Sequence, residues 1–335
     1  MKIFYAVQAT GNGHIARALE ILPHLQSYGE VDIFLSGSNA TLRNDLPVKY
    51  VSRGVSLFYR STGGLDYWEI IKQLNWMRIR KEAKNLPLKE YDLVISDFEF
   101  ISCVAAKLQK VPLVHLGHQA SFISARVPRP LKKNFLGELI LKNYCKSKIN
   151  IGYHFYPYEK WILPPVIKEQ LWNAKPENKG YVTVYLPQYS RKEIHRYLFM
   201  LDGIKFEIFH KEIQREETEF NITWKPIDNE GFTESMINSA GVLTGAGFET
   251  PSEALFLKKK LMVIPIRGQY EQLCNAAALS QMGIQVAEKL DIEFGLRLKK
   301  WLKSSQTTQK DNNFIRTKES VDLAMAWITK SEDTK

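Results

Sequence analysis

The strongest constraint on this chain is a regular alternation of short apolar runs with longer segments of helical period, which lapses once and then begins again. KIFYAVQ (2–8), VDIFLS (31–36), VKYVS (48–52), DLVIS (92–96), PLVHL (112–116) and NIGYHF (150–155) have the length and the Val/Ile/Leu content of strands. Helical periodicity fills the intervals near 14–28, 66–86, 99–109 and 131–146. Strands that are apolar almost throughout, with helices between them, pair in parallel and are covered on both faces. The segment Pro157 to Gly180 carries four prolines and reads as a linker. After it the alternation resumes, with strands at YVTVYLP (181–187), KFEIFH (205–210), GVLT (241–244) and KLMVIPI (260–266), and helices near 191–200, 251–259 and 271–282. At 335 residues there is room for two cores of ordinary size. The expectation is an α/β chain of two Rossmann-like βαβ domains, 1–160 and 161–310. A final helix and tail, 311–335, would pack back on the first.

Composition removes several other classes. Hydrophobic residues make up 44% of the chain, so it is neither disordered nor fibrous. No apolar run approaches the roughly 20 residues that span a bilayer. The first residues, MKIFYAVQATGNGH, lead into a glycine-rich turn instead of a small-residue cleavage site, and read as a buried strand. Cys103, Cys145 and Cys274 are scattered, which suits a reduced, cytoplasmic compartment with neither a disulfide framework nor a zinc site. The net charge of +10 is uneven: residues 1–160 hold 22 Lys/Arg and 13 Asp/Glu, whereas 161–335 hold 24 and 23. A basic half suits nucleic acid, an anionic membrane or a phosphorylated substrate, and no nucleic-acid-binding motif accompanies it.

Two stretches in the second half carry chemistry. Gly245-Ala246-Gly247-Phe248-Glu249-Thr250-Pro251-Ser252-Glu253 follows a strand and opens a helix. Glycines let backbone turn and approach a ligand, with Thr250 as N-cap and Pro251 in the first helical position. A helix N-terminus offers free N–H groups and a positive dipole end to a diphosphate, and Glu253 in the first turn would reach the two ribose hydroxyls. The same residues also suit a plain strand-to-helix turn with a glutamate placed for the dipole. Some twenty residues on, Arg267-Gly268-Gln269-Tyr270-Glu271-Gln272 and Asn275 follow the next strand, at the sheet edge where open α/β folds bind ligands. Alone, this is an ordinary polar helix start.

Together the two stretches, G-x-G-F-x-T-x-x-E-A-L and Q-x-E-Q-x-x-N-A-x-x-L-x-x-x-G, resemble the donor-binding signature of GT-B glycosyltransferases. The nearest group is that of the lipid II-forming N-acetylglucosaminyltransferase and similar family 1 and 28 enzymes. The resemblance implies two domains facing across a cleft and a nucleotide diphosphate sugar donor, a UDP-sugar ahead of a dTDP-sugar. It places the diphosphate on Gly245, Gly247, Phe248, Glu249 and Thr250, the ribose on Glu253 and sugar hydroxyls on Gln269, Glu271 and Gln272. The base would lie against Trp224-Lys225-Pro226-Ile227, chiefly on Ile227, with Gln188 and Ser190 adding phosphate contacts.

The turn Gly11-Asn12-Gly13-His14 after the first strand is weak as a nucleotide motif, because Ala16 breaks G-x-G-x-x-G. The resemblance makes His14 a general base oriented by Asp97, with Asn12, Gly13, Arg17 and His118 on the acceptor side. It implies an inverting, metal-independent hexosyltransferase with no cofactor, since helix N-termini can stabilise the departing diphosphate. The acceptor would be a glycan or glycolipid of the cell envelope. Alternatives are a nucleotide-sugar epimerase of the same fold, for which Glu249 is the argument, and a non-catalytic nucleotide-sugar-binding subunit. Residues 126–148 hold seven Lys/Arg against Glu138 alone, and 72–89 hold six against Glu82 alone. A helical wheel over 66–86 puts Ile70, Ile71, Leu74 and Met77 toward the core and Trp68, Trp76 and Ile79 outward. Aromatic residues among cations suit a peripheral contact with an anionic membrane, on its cytoplasmic face.

Overall fold

The computed structural model describes residues 1–9, 11–37, 46–55, 75–305 and 313–332. The chain divides into two compact units: Met1–Val127 with Lys132–Glu169 and Asn313–Lys335, and Pro128–Leu131 with Gln170–Asn312.

In the first unit β1 (Lys2–Gln8), β2 (Glu30–Ser36), β3 (Val48–Ser52), β4 (Leu93–Asp97), β5 (Val114–Gly117), β6 (Ile149–Tyr153) and β7 (Ile162–Leu163) form one sheet. Its order is 3-2-1-4-5-6-7 and every pairing is parallel. β1 lies in the interior of the sheet, with Ile3 to Val7 fully buried, which is why KIFYAVQ reads as apolar throughout. The helices are α1 (Asn12–Leu25), α2 (Trp76–Asn85), α3 (Phe100–Gln109) and α4 (Phe135–Asn143). The strand order reverses between β1 and β4, and such a switch point leaves a crevice at the carboxyl ends of the strands.

The second unit repeats the plan after α5 (Glu169–Trp172). β8 (Tyr181–Tyr185), β9 (Lys205–Phe209), β10 (Glu217–Glu219), β11 (Ile222–Lys225), β12 (Gly241–Gly245), β13 (Lys260–Ile264) and β14 (Gln285–Val286) run in the order 10-11-9-8-12-13-14. Only β10 is antiparallel to its neighbour. Its switch point lies between β8 and β12. The helices are α6 (Arg191–Leu198), α7 (Asn229–Asn238), α8 (Glu249–Phe256), α9 (Tyr270–Gln281) and α10 (Phe294–Lys303). Phe206, Trp224, Leu243, Met262, Phe294 and Trp301 meet in one core. The final helix, α11 (Thr317–Glu332), belongs to the first unit, where the Tyr28 hydroxyl donates to Asp322 (2.7 Å) and that of Thr317 to the Ile167 carbonyl (3.3 Å).

Several local readings change. The proline-rich segment is not a plain linker, because it contributes β7 to the first sheet and contains α5. The hairpin β10–β11 leaves no signal in the sequence, because Glu217, Thr218 and Glu219 are all exposed and carry no hydrophobic alternation. α2 starts only at Trp76, with the Asn75 side chain accepting from the Arg78 N–H (2.9 Å). In this helix Ile79 is buried while Met77 is 84% exposed, the reverse of their places on the helical wheel. Trp68, Ile70, Ile71 and Leu74 lie outside the described residues. α8 begins at Glu249 with Phe248 in the cap position, so Thr250 is not its N-cap and Pro251 is its third residue. Proline is harmless there, since first-turn N–H groups have no partner in the helix.

Candidate active site

In the first unit, α1 starts directly after β1 on Gly11, whose backbone is extended and which supplies no side-chain cap. His14 and Arg17 are three residues apart and share one helix face. Both reach Asp97, the last residue of the adjacent strand β4. His14 Nδ1 stands 2.9 Å from Asp97 Oδ1. Arg17 donates from Nε to Oδ2 (3.0 Å) and from Nη2 to Oδ1 (2.8 Å). Nη2 is also 3.0 Å from His14 Nδ1. The carboxylate is wholly buried, whereas the His14 side chain is 13% exposed.

Burial alone would push the Asp97 pKa up. The Arg17 charge and His14 outweigh it, so the carboxyl is held well below the usual carboxylate range. An ionised, buried carboxylate demands donors, and we assign the Nδ1–H tautomer of His14 from that demand. Nε2 then carries the lone pair. β5 closes the far side. A Cβ on Gly117 would stand 2.4 Å from Asp97 Oδ1, so only glycine fits. His115, fully buried on the same strand, has its pKa pushed down to about 4, chiefly by burial.

The turn after β4 has its own constraint. Phe98 adopts φ 54, a left-handed backbone that is uncommon for a bulky residue and costs on the order of 1–3 kcal/mol. It redirects the chain so that Glu99 caps α3, accepting from the Ile101 (2.8 Å) and Ser102 (2.5 Å) N–H groups. Asp97 and Glu99 therefore face different partners.

Sequence placed Arg17 and His118 on the acceptor side; in the structure both side chains are buried and engaged within the first unit. Arg17 is 3% exposed and committed to Asp97. His118 is 1% exposed, its Nδ1 is 2.9 Å from the Tyr153 carbonyl, and it packs edge-on to Phe122. Asn12 and Gly13 are half-buried residues of the first turn of α1. Nothing in the sequence pointed to Gly117 or His115, whose roles follow from β5 lying beside β4. The spacing of Arg17 from His14 was the one available hint of its place.

In the second unit, loops leaving β8, β12 and β13 end at the carboxyl edge of the sheet. Neither Gly245 nor Gly247 has a left-handed backbone. A Cβ on Gly247 would meet nothing within 4 Å, and one on Gly245 would make only ordinary contacts. The chain itself thus gives no reason for glycine at 247, which is the pattern expected where backbone must approach a ligand. Gln272 ties the loops together: its Oε1 accepts from the Ala246 (3.2 Å) and Ile266 (2.9 Å) N–H groups. Asn275 Nδ2 adds a bond to the Ala246 carbonyl (3.1 Å). The Gln272 carbonyl oxygen is thereby occupied by the loop and is not available to a sugar hydroxyl.

Ser190 also has partners within the chain. It forms a capping box with Glu193 at the start of α6, so its hydroxyl is engaged within the chain. Gln188 Nε2 donates to the Ile264 carbonyl (3.2 Å). The Oε1 atoms of Gln188 and Gln269 are buried with no hydrogen-bond partner among the described residues. Gln269 occupies the cap position of α9 and Glu271 its first turn. Phe248 is buried, Glu249 and Thr250 are half-buried, and Glu253 is only 5% exposed, more covered than an open cleft would leave it. Ile227 follows β11 and precedes the cap of α7.

Among the described residues, no group of three or more His, Cys, Asp or Glu is arranged to hold a metal ion. No described helix is long and apolar enough to cross a membrane.

Comparison with solved structures places the fold. The glycosyltransferase VinC, crystallised with DTDP, is 13% identical, with a TM-score of 0.57 over 98% of this chain and 100% of its own. The Acinetobacter baumannii enzyme MurG is 15% identical, with a TM-score of 0.57 over 97% of this chain and 99% of its own. Arabidopsis thaliana UGT89C1, complexed with UDP, is 12% identical, with a TM-score of 0.61 over 98% of this chain and 94% of its own. These share the GT-B fold of two parallel α/β units. No curated protein matches the chain by sequence. The model of the family described as "Glycosyl transferase family 1" matches residues 1–304, and the chain belongs to that family of glycosyltransferases.

Proposed function

We propose that this glycosyltransferase transfers a sugar from a nucleoside diphosphate donor to an acceptor hydroxyl with inversion and without a metal ion. The observation that carries this reading is the contact of His14 Nδ1 with the buried Asp97 carboxylate at 2.9 Å, which leaves Nε2 as a base. His14 Nε2 takes the acceptor proton while the acceptor oxygen bonds to the anomeric carbon. The bond from that carbon to the diphosphate oxygen breaks, and its electron pair leaves with the nucleoside diphosphate. Asp97 then faces an imidazolium and stabilises it.

The second unit supplies the donor site. First-turn N–H groups of α8 and the backbone at Gly247 receive the diphosphate, with Gly245, Phe248, Glu249 and Thr250 forming the loop. Glu253 takes the ribose and Ile227 the base. Gln269 and Glu271 take sugar hydroxyls, which would supply the buried Gln269 Oε1 with a donor. Relatives of the same fold hold UDP or DTDP, which supports a pyrimidine nucleotide. Metal independence is supported by the carboxylates of Asp97 and Glu99, which are committed to Arg17 and His14 and to the cap of α3.

The acceptor we assign is lipid-linked, met at an anionic membrane. Trp76 (57% exposed), Met77 (84%), Phe135 (83%) and Leu139 (48%) are apolar and open to solvent in the first unit. Trp76 touches Phe100 (ring centroids 6.0 Å apart), which touches Tyr144 (4.8 Å) at the end of α4. The start of α2 and the end of α4 thus lie close together. Exposed Arg80, Lys81, Lys84, Lys142 and Lys146 accompany them.

The test is a thermal-shift panel of nucleoside diphosphates and their sugars, followed by NMR of the product formed from the best donor. A pyrimidine nucleoside diphosphate should stabilise the protein. The product should carry the opposite anomeric configuration, at a rate unchanged by EDTA. Retained configuration, or loss of activity with EDTA, refutes the mechanism.

A further inference from the structure

Arg17 lies where the sequence would put a substrate contact, yet it is 3% exposed and closed off from any large ligand. Its guanidinium forms a two-point bond with Asp97, and Nη2 comes as close to His14 Nδ1 (3.0 Å) as the carboxylate does (2.9 Å). In a bare histidine–carboxylate pair, a buried negative charge draws a proton onto the ring. Here a positive charge stands at nearly the same distance from the same nitrogen. The two fields oppose each other at Nδ1, in a buried site where water screens them little.

We propose that Arg17 is a positioning residue: it balances the Asp97 charge at Nδ1, so that His14 stays neutral with Nε2 open to accept a proton. The inference rests on the reading of His14 as the base.

Glycine at 117 makes room for the carboxylate: a Cβ there would stand 2.4 Å from Asp97 Oδ1, so any side chain at 117 would displace the carboxylate from His14 and Arg17. Among the described residues, the titratable groups set against His14 are Asp97 on β4, Arg17 on α1 and His115 on β5. His115 is kept neutral near pH 7 by its burial, so it adds no third charge. Nδ1–H and Arg17 Nη2–H both donate to Oδ1, and Nε–H donates to Oδ2. Both oxygens of the buried carboxylate are thus satisfied.

The experiment follows the His14 ring signals by NMR in the full chain with labelled histidine, identified by their loss in His14→Gln. In Arg17→Met the pH midpoint of those signals should rise by about 1–3 pH units, because Asp97 is left uncompensated. Arg17→Lys, which keeps the charge, should bring it back toward wild type. Should Arg17→Met fail to fold, Asp97→Asn tests the balance from the other side, and there the midpoint should fall. An unchanged midpoint in Arg17→Met, or in Asp97→Asn when that variant alone folds, overturns the proposal. A shifted midpoint with a transfer rate indifferent to His14→Gln would instead overturn the choice of base and leave the role of Arg17 standing.

Discussion

A buried arginine that neutralises a buried aspartate is uninformative about stability by itself, since desolvation offsets much of the attraction. Its value here lies in what it does to the third member, His14, the one side chain of the three with solvent access. His14→Ala should lower turnover by about 10²–10⁴-fold with nucleotide affinity nearly intact, measured by steady-state kinetics and calorimetry. A full rate with an active donor and acceptor would remove it from catalysis. The neighbouring His115 predicts how stability depends on pH. Its folded pKa of about 4 lies below the unfolded value near 6.5. Between those values the unfolded chain binds a proton that the folded chain refuses, so stability falls as the pH drops through this window. The loss attributable to His115 is on the order of 3 kcal/mol, and His115→Gln should flatten the slope of melting temperature against pH. Asp97 acts lower on the scale. Its depressed pKa contributes stability that is complete above the ordinary carboxylate range and is lost on further acidification.

At the scale of elements, the loop after β12 is defined by what its glycines do not do. Gly247 has neither a left-handed backbone nor a neighbour that a methyl group would strike. Gly247→Ala should therefore fold as well as the parent, or be more stable by about 0.4–1 kcal/mol through the unfolded chain. If backbone at 247 meets a diphosphate, the same variant should bind the nucleotide more weakly by calorimetry. Unchanged affinity would show that the loop does not approach the ligand there. Gln272 makes the complementary point. The motif marks it as a sugar contact, yet its carbonyl oxygen joins the loops after β12 and β13 through two backbone N–H groups. A signature residue can be retained for the shape of a loop as well as for a ligand.

For the whole molecule, the uneven charge and the exposed apolar residues of the first unit predict binding to vesicles. Flotation should require anionic lipid and weaken as salt rises from low to physiological, because headgroup attraction is screened. Trp76→Ser should reduce it, since that ring is 57% exposed and lies beside basic residues. Met77→Ser should act in the same direction, which a wheel with Met77 in the core would not allow. Indifference to anionic vesicles at both salt levels would make the acceptor a soluble molecule.

What the sequence determined by itself was the periodic pattern and its punctuation. Apolar strands such as KIFYAVQ and KLMVIPI announce a parallel sheet because both of their faces must be covered, and the glycine turns mark the edges where ligands bind. The pairing of His14 with Asp97 was legible only through resemblance, since 83 residues separate them. Three things were decided by tertiary structure alone. Arg17 became the partner of Asp97 because β1 and β4 are neighbours in the sheet, a fact of strand order with no local signal. His118, polar and on a loop by its sequence, was drawn into the core by the Tyr153 carbonyl and aromatic neighbours. The outward face of α2 was set by packing: Ile79 and Ala83, one turn apart, are buried, which turns Met77 to solvent.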